Sequence, residues 1–274
     1  MLSPTDPTSP EKNQQPLPFG VLLNAAFHVL AEHITPIAVL AAVVVFPISI
    51  WEGALPSPTF PTTLTMHALT PSQIRTLTAA FMPWAWPLLA DLVASYLMTA
   101  AAAYLIAEAI EGRSASPFAA YAQVLRRLAP LVTSALAEII GIGVAGLVVV
   151  GLLSLISPFL AVLAVFILAI AAAVYLGLTV QVVMREGLGD VRAPIRSLQL
   201  MRGSFWPTLG TLAVAALALV ILSSLSALPL SAGVSFFTRA LAEVISDLIT
   251  ITVGMLPVTI LTVVYEHKVG RVRF

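Results

Sequence analysis

Long uninterrupted stretches of apolar residues constrain this sequence more than any other feature. A helix of about 20 residues crosses a hydrocarbon layer of about 30 Å, so each stretch of that length is a predicted transmembrane helix. The predicted spans cover residues 34–51, 84–107, 128–153, 159–184, 206–228 and 242–265. We therefore predict an all-α fold, a polytopic membrane bundle of about six transmembrane helices with amphipathic surface helices on its cytoplasmic side.

Charged residues are scarce along the whole chain. They make up 9% of its 274 residues, whereas a soluble domain contains about 25%. This leaves no room for a separate catalytic domain, and we predict that residues 18–274 form a single integral membrane domain. Residues 1–17 are polar and rich in proline, and we interpret them as a disordered cytoplasmic tail. The absence of cysteine excludes thiolate metal sites and cysteine nucleophiles.

The distribution of arginine and lysine predicts the orientation of the chain. Basic residues near the ends of spans remain on the cytoplasmic side of a membrane. Of the 13 basic residues, only Arg75 and Arg239 fall in loops on one side, and the remainder fall on the other side. Both termini are therefore predicted to be cytoplasmic.

Three segments have the pattern of amphipathic helices that lie on a membrane surface: residues 19–33, 117–127 and 190–202. In the third, Val191, Ile195, Leu198 and Met201 recur at helical spacing, with arginines on the other side. The candidate contacts for lipid headgroups are the arginines of the second and third segments, namely Arg126, Arg127, Arg192, Arg196 and Arg202. Alternatively, these arginines only set the topology, as in most membrane proteins.

Ionisable residues inside predicted spans are the other candidates for function, because a charge in a bilayer is costly. Asp91 and Glu138 lie in the second and third spans, where an inward-facing pair would carry protons or bind a cation. Arg239, Glu243 and Asp247 share one helical face. They would form either an internal ion pair or a site that binds a cation or an amine. In each case the alternative is structural, a hydrogen bond or ion pair between helices.

No pattern in the sequence defines a reaction. His28, Glu32 and His33 lack the spacing of a zinc protease, and the chain has neither a glycine-rich phosphate loop nor a nucleophile elbow. We predict no metal, no cofactor, no enzymatic activity and no nucleic-acid partner.

Small residues at four-residue spacing occur in two predicted spans. Ala169, Ala173 and Gly177 lie in the fourth span, and Gly141 and Ala145 lie in the third. Such residues let helix backbones approach closely. The pattern favours packing within the bundle and also allows a homodimer or a membrane-protein partner.

Four stretches resemble, in order, the membrane domain attached to some bacterial glycerophosphoryl diester phosphodiesterases and its stand-alone, largely uncharacterised relatives. They begin at PLPFGVLLNAAF, EGRSASPFAAYA, VVMREGLGDVRA and LPVTILTVVYEH. The most specific part comprises Glu186, Gly187, Ser197, Leu200, Arg202, Gly203, Phe205 and Trp206. The resemblance implies a six-helix bundle in the bacterial inner membrane. It does not imply diesterase activity, which in that family belongs to a separate soluble barrel.

These observations lead to one functional prediction and one alternative. The prediction is a non-enzymatic integral inner-membrane protein that binds lipids or partner membrane proteins. The alternative is a small transporter or permease component that uses the carboxylates inside its spans.

Overall fold

The computed structural model describes residues 17–53, 71–227 and 254–271. These ranges fold into ten helices and contain no strand, so the predicted all-α fold is confirmed for this part of the chain. In order, the helices are α1 Phe19–Glu32, α2 Ile34–Gly53, α3 Pro71–Ile110, α4 Pro117–Arg126, α5 Leu128–Ser154, α6 Pro158–Tyr175, α7 Thr179–Glu186, α8 Arg192–Met201, α9 Phe205–Ala227 and α10 Leu256–Lys268.

Between three and five segments have the length and composition to cross a membrane. Three do so alone: Ala85–Ile110, Leu128–Ser154 and Pro158–Glu186. Two more qualify if each bent pair counts as one span, with bends of 74° between α1 and α2 and 99° between α8 and α9. Half of the predicted sixth span, residues 242–253, lies outside the described residues. The number six therefore stays a prediction.

Helix α3 differs from the sequence prediction at its start. The predicted span begins at residue 84, whereas the structure has one helix of 40 residues that begins at Pro71. Pro83 and Pro87 lie inside it. Each proline removes one backbone donor and bends a helix, but helices in apolar surroundings continue through such positions.

The predicted fourth span, residues 159–184, corresponds to the membrane-compatible segment Pro158–Glu186. Its helix is interrupted at residues 176–178, between α6 and α7. The chain approaches itself closely there, since a Cβ atom on Gly177 would lie 2.6 Å from the carbonyl oxygen of Ala173. The break is held by Ser197 of α8, which donates a hydrogen bond to the Tyr175 carbonyl at 2.7 Å and accepts one from the Leu178 N–H at 3.2 Å. A side chain from another helix thus replaces bonds within the span.

Helix α10 lies in the centre of the described core. It packs against α1, α3, α7 and α9. On α3, the run from Ala100 to Ala103 is fully buried, and its small side chains allow close contact between helices. Helices α5 and α6 form a hairpin joined by three residues, and most of their large apolar side chains are exposed. A lipid-facing surface has this composition.

Helix α1 packs differently from the predicted surface helix. It has nearly the predicted bounds, but Leu22, Ala26 and Leu30 are buried against the core, while Val21 is exposed. Its contacts are chiefly with α10 and α9. The buried side chains of α1 therefore pack against the protein core and not against the membrane surface.

Candidate functional site

Helix α8 lies across the end of α9. The two axes differ by 99°, and the turn between them contains Gly203 with φ +78°. A residue with a side chain rarely adopts that conformation, which explains the glycine. If α9 spans a membrane, a helix at this angle lies along the membrane surface.

The two sides of α8 have different surroundings. Ala193, Ser197 and Met201 are buried against α5, α6 and α7. The outer side exposes Val191, Ile195 and Leu198, whose exposed fractions are 58%, 49% and 40%, next to Arg192, Gln199 and Arg202. The predicted apolar stripe was thus wrong in one member, because Met201 belongs to the buried side. Exposed aliphatic groups beside arginines are typical of a helix at a lipid interface.

Helix α4 presents a similar surface. Ser116 caps it by accepting a hydrogen bond from the Ala119 N–H at 3.1 Å. The Tyr121 hydroxyl donates to the Leu40 carbonyl at 2.8 Å, and burial raises the pKa of Tyr121 to about 12. Phe118, Leu125 and Arg126 are exposed. The hydrogen bond of Tyr121 therefore fixes α4 on the protein with an apolar and basic surface outward.

The five candidate headgroup arginines fall into two groups. Arg126, Arg192 and Arg202 are exposed. Arg127 instead donates a hydrogen bond to the Val183 carbonyl at 2.7 Å, and half-buried Arg196 lies 3.4 Å from the Glu186 carboxylate. Three of the five thus point outward, whereas the other two hold helices together.

The ends of α3, α7 and α10 meet in an ionic network, which we define as Glu108, Glu111, Arg113, Arg185, Glu266 and Arg271. At its centre, an Arg185 Nη1 atom lies 2.7 Å from Glu108 Oε1, and Arg185 Nε lies 3.1 Å from Glu266 Oε1. The other Nη atom of Arg185 contacts Glu111. The guanidinium group of one helix therefore binds carboxylates of two others.

Two further arginines surround this centre. Arg113 lies 2.6 Å from Glu108 and also contacts Glu111, and Arg271 lies 3.5 Å from Glu266. The Glu266 side chain is 0% exposed, and burial raises the pKa of its carboxyl group, an effect that Arg185 and Arg271 oppose. A buried charge is tolerated only when it is paired, so these ion pairs hold the ends of α3, α7 and α10 together.

A second contact joins α7, α8 and α10. The Tyr265 hydroxyl donates to Glu186 Oε1 at 3.0 Å, and Arg196 approaches the same carboxylate. Gly187 ends α7 with φ +72°, and a Cβ atom there would lie 2.9 Å from Arg127 Nη1. Several residues of the family-like stretch thus have structural roles.

Glu138 lies in a groove beside the broken helix. The other groove residues come from α5, α6 and the break, namely Ile142, Ala169, Ala172, Ala173, Leu176 and Gly177. Within the described part of the chain, Glu138 Oε1 is buried without a hydrogen-bond partner. The buried Thr179 hydroxyl lies beside this carboxyl group and interacts with it.

The remaining candidates are not brought to this groove. Asp91 is exposed on α3, accepts a hydrogen bond from Ser95 at 3.5 Å and does not line the groove. Arg239, Glu243 and Asp247 lie outside the described residues. His28 and Glu32 form an exposed pair at 3.3 Å. Across residues 17–53, 71–227 and 254–271, no group of three acidic or histidine side chains is arranged to hold a metal ion.

Comparison with known proteins gives no match among protein-family models, curated proteins or solved structures. The resemblance to the diesterase-associated membrane domain therefore stays a prediction. The class of protein that the described helices define is an all-helical chain with apolar helices compatible with a membrane protein. Its function has to be argued from its own surfaces.

Proposed function

We propose that this chain is a non-enzymatic integral protein of the bacterial inner membrane, with both termini cytoplasmic, which binds anionic lipids through α4 and α8. One observation carries the proposal: α8 lies at 99° to the apolar helix α9 and exposes Val191, Ile195 and Leu198 beside arginines. In water the exposed apolar side chains of this surface would be unfavourable. At a bilayer surface the apolar side chains contact acyl chains and the arginines contact headgroup phosphates.

The apolar and basic side chains would contact different parts of a lipid. Helices at the interface insert their apolar side chains about 5–10 Å into the boundary between headgroups and acyl chains. Arginines at that level lie next to the phosphates, and each contributes roughly 1 kcal/mol with anionic lipids. Arg126, Arg192 and Arg202 together give about 3 kcal/mol, a preference for anionic over neutral lipid of the order of 100-fold at low salt.

Lipid retention in native mass spectrometry tests this proposal. The purified protein is incubated with equal amounts of phosphatidylglycerol and phosphatidylcholine, and the ratio of the bound lipids is measured. We expect phosphatidylglycerol to dominate, and Arg192→Gln to reduce the ratio. Arg75→Gln is the matched control, because Arg75 is also exposed but lies at the opposite end of α3 from the basic surface.

Two outcomes would reject the proposal. One is equal retention of both lipids by the unmodified protein. The other is an anionic preference that Arg75→Gln reduces as much as Arg192→Gln does, since the preference would then come from overall charge rather than from α8.

The transporter alternative has less support. It was predicted from Asp91 and Glu138 as a pair, but these residues have different surroundings, an exposed helix surface for Asp91 and a groove for Glu138. Glu138 is consequently considered alone.

A further inference from the structure

We propose that the groove between α5 and α6 binds the ammonium group of an amphiphilic primary amine, with Glu138 as the counter-ion. This inference does not depend on lipid binding by α4 and α8, which involves other residues. Its basis is the shape of the groove, the depth of Glu138 and the hydroxyl group beside it.

The groove can admit an alkyl chain from the side. Its α6 wall consists of small residues, and Ala169 and Ala173 are exposed in the described structure. Its volume is about 420 Å³, within the range of about 300–1,000 Å³ that is usual for small-molecule sites. The small residues that the sequence assigned to helix packing thus leave space next to a carboxylate.

Glu138 lies deep in its helix. It is ten residues after Leu128, where α5 begins, and a rise of 1.5 Å per residue places it about 15 Å along the axis, near the middle of a hydrocarbon layer of about 30 Å. A carboxylate at this depth requires a partner. Among the ion pairs of the described residues, none includes Glu138. A ligand that carries a positive charge and N–H donors would supply that partner.

The neighbouring polar atoms favour a primary ammonium group. Such a group has three N–H donors and no acceptor. Glu138 supplies a carboxylate to the groove, and the Thr179 hydroxyl lies beside that carboxylate with lone pairs of its own. A negative charge with an oxygen acceptor next to it matches this ligand better than a quaternary amine, which cannot donate hydrogen bonds.

Photo-crosslinking in bilayers tests the site. The probe is a decylammonium with a diazirine on its alkyl chain, added to the full protein in phosphatidylcholine nanodiscs, and labelled peptides are identified by mass spectrometry. We expect labelling of α5 and α6 that an excess of octylammonium suppresses and an equal excess of octyltrimethylammonium does not. Glu138→Gln should reduce this labelling at least tenfold.

Matched variants separate the site from general effects. Asp91→Asn removes an exposed carboxylate from another span and should leave labelling unchanged, as should Arg192→Gln in the lipid-binding surface. Ala173→Leu keeps every charge but fills the groove, and it should abolish labelling. This variant keeps the test decisive if Glu138→Gln fails to fold. Labelling that survives both Glu138→Gln and Ala173→Leu would overturn the proposal, as would equal labelling by the corresponding decanol probe.

Discussion

Ser197 joins α8 to the broken span through one hydroxyl group, so its replacement by alanine directly tests how this break is held. The hydroxyl makes two hydrogen bonds, at 2.7 Å to the Tyr175 carbonyl and at 3.2 Å from the Leu178 N–H. Ser197 is 0% exposed, so water cannot take its place without movement of α8. The substitution Ser197→Ala therefore leaves one buried donor and one buried acceptor without their partner.

The expected loss of stability follows from these two bonds. A hydrogen bond contributes about 0.5–1.5 kcal/mol net, and a buried group left unpaired costs about 1–3 kcal/mol. Hydrogen bonds inside membrane proteins average nearer to 0.6 kcal/mol, which lowers the sum. We expect Ser197→Ala to reduce the free energy of unfolding by about 1–3 kcal/mol, which corresponds to a fall in Tm of roughly 3–10 °C for a chain of this size.

Thermal unfolding in detergent, followed by intrinsic fluorescence, measures the effect, and hydrogen exchange measures it locally. Ser224→Ala is the control, because the Ser224 hydroxyl bonds only to the Val220 carbonyl of its own helix at 2.7 Å. The Leu178 amide should exchange faster in Ser197→Ala and not in Ser224→Ala. Equal Tm values for the two variants, together with unchanged exchange at Leu178, would refute this account of the break.

Two further predictions concern charge and space. Arg185→Gln leaves carboxylates of the ionic network without their central cation, and it should lower the free energy of unfolding, measured in urea or by heating, by about 3–5 kcal/mol. Arg113→Gln, at the exposed edge of the network, should have a much smaller effect. Equal effects of the two variants would show that Arg185 does not hold the helix ends together. Gly177→Ala places a Cβ atom 2.6 Å from the Ala173 carbonyl oxygen and should destabilise by about 1–3 kcal/mol. Gly143→Ala, with nothing within 4 Å, should be neutral or stabilising by up to about 1 kcal/mol, and a similar Tm for the two glycine variants would contradict the reasoning.

The long helices could be predicted from the sequence because their length is a property of a continuous apolar run. The predicted span at 128–153 became α5, Leu128–Ser154, and the one at 206–228 became α9, Phe205–Ala227. Local composition is sufficient in these cases, since neighbouring helices do not change where the apolar run ends.

The break between α6 and α7 could not be predicted in this way. Residues on both sides of it are apolar, so hydropathy continues through Leu176–Leu178 without change. What permits the break is the close approach at Gly177 and a hydroxyl group supplied by Ser197, which follows about 20 residues later. Both are tertiary contacts, and neither leaves a pattern in the span itself.

Only part of the ionic network can be recognised from the sequence. Glu108, Glu111 and Arg113 are neighbours in the sequence at the end of a predicted span, a pattern that is typical of a solvated charged group. The structure buries most of the Glu108 side chain because Arg185 and Glu266 arrive from α7 and α10. A carboxylate that forms pairs with distant arginines has no local feature that distinguishes it from a solvated one.

The groove at Glu138 shows how two separate sequence features combine. The charge of Glu138 was a candidate because of its position in a span, and Ala173 and Gly177 were assigned to helix packing. The break brings Gly177 beside Glu138, and the break depends on Ser197, whose helix also carries the exposed apolar and basic surface. A displacement of α8 must therefore change the backbone hydrogen bonds at Tyr175 and Leu178. Ser197 therefore connects the helix proposed to bind lipid with the break beside the groove proposed to bind an amine.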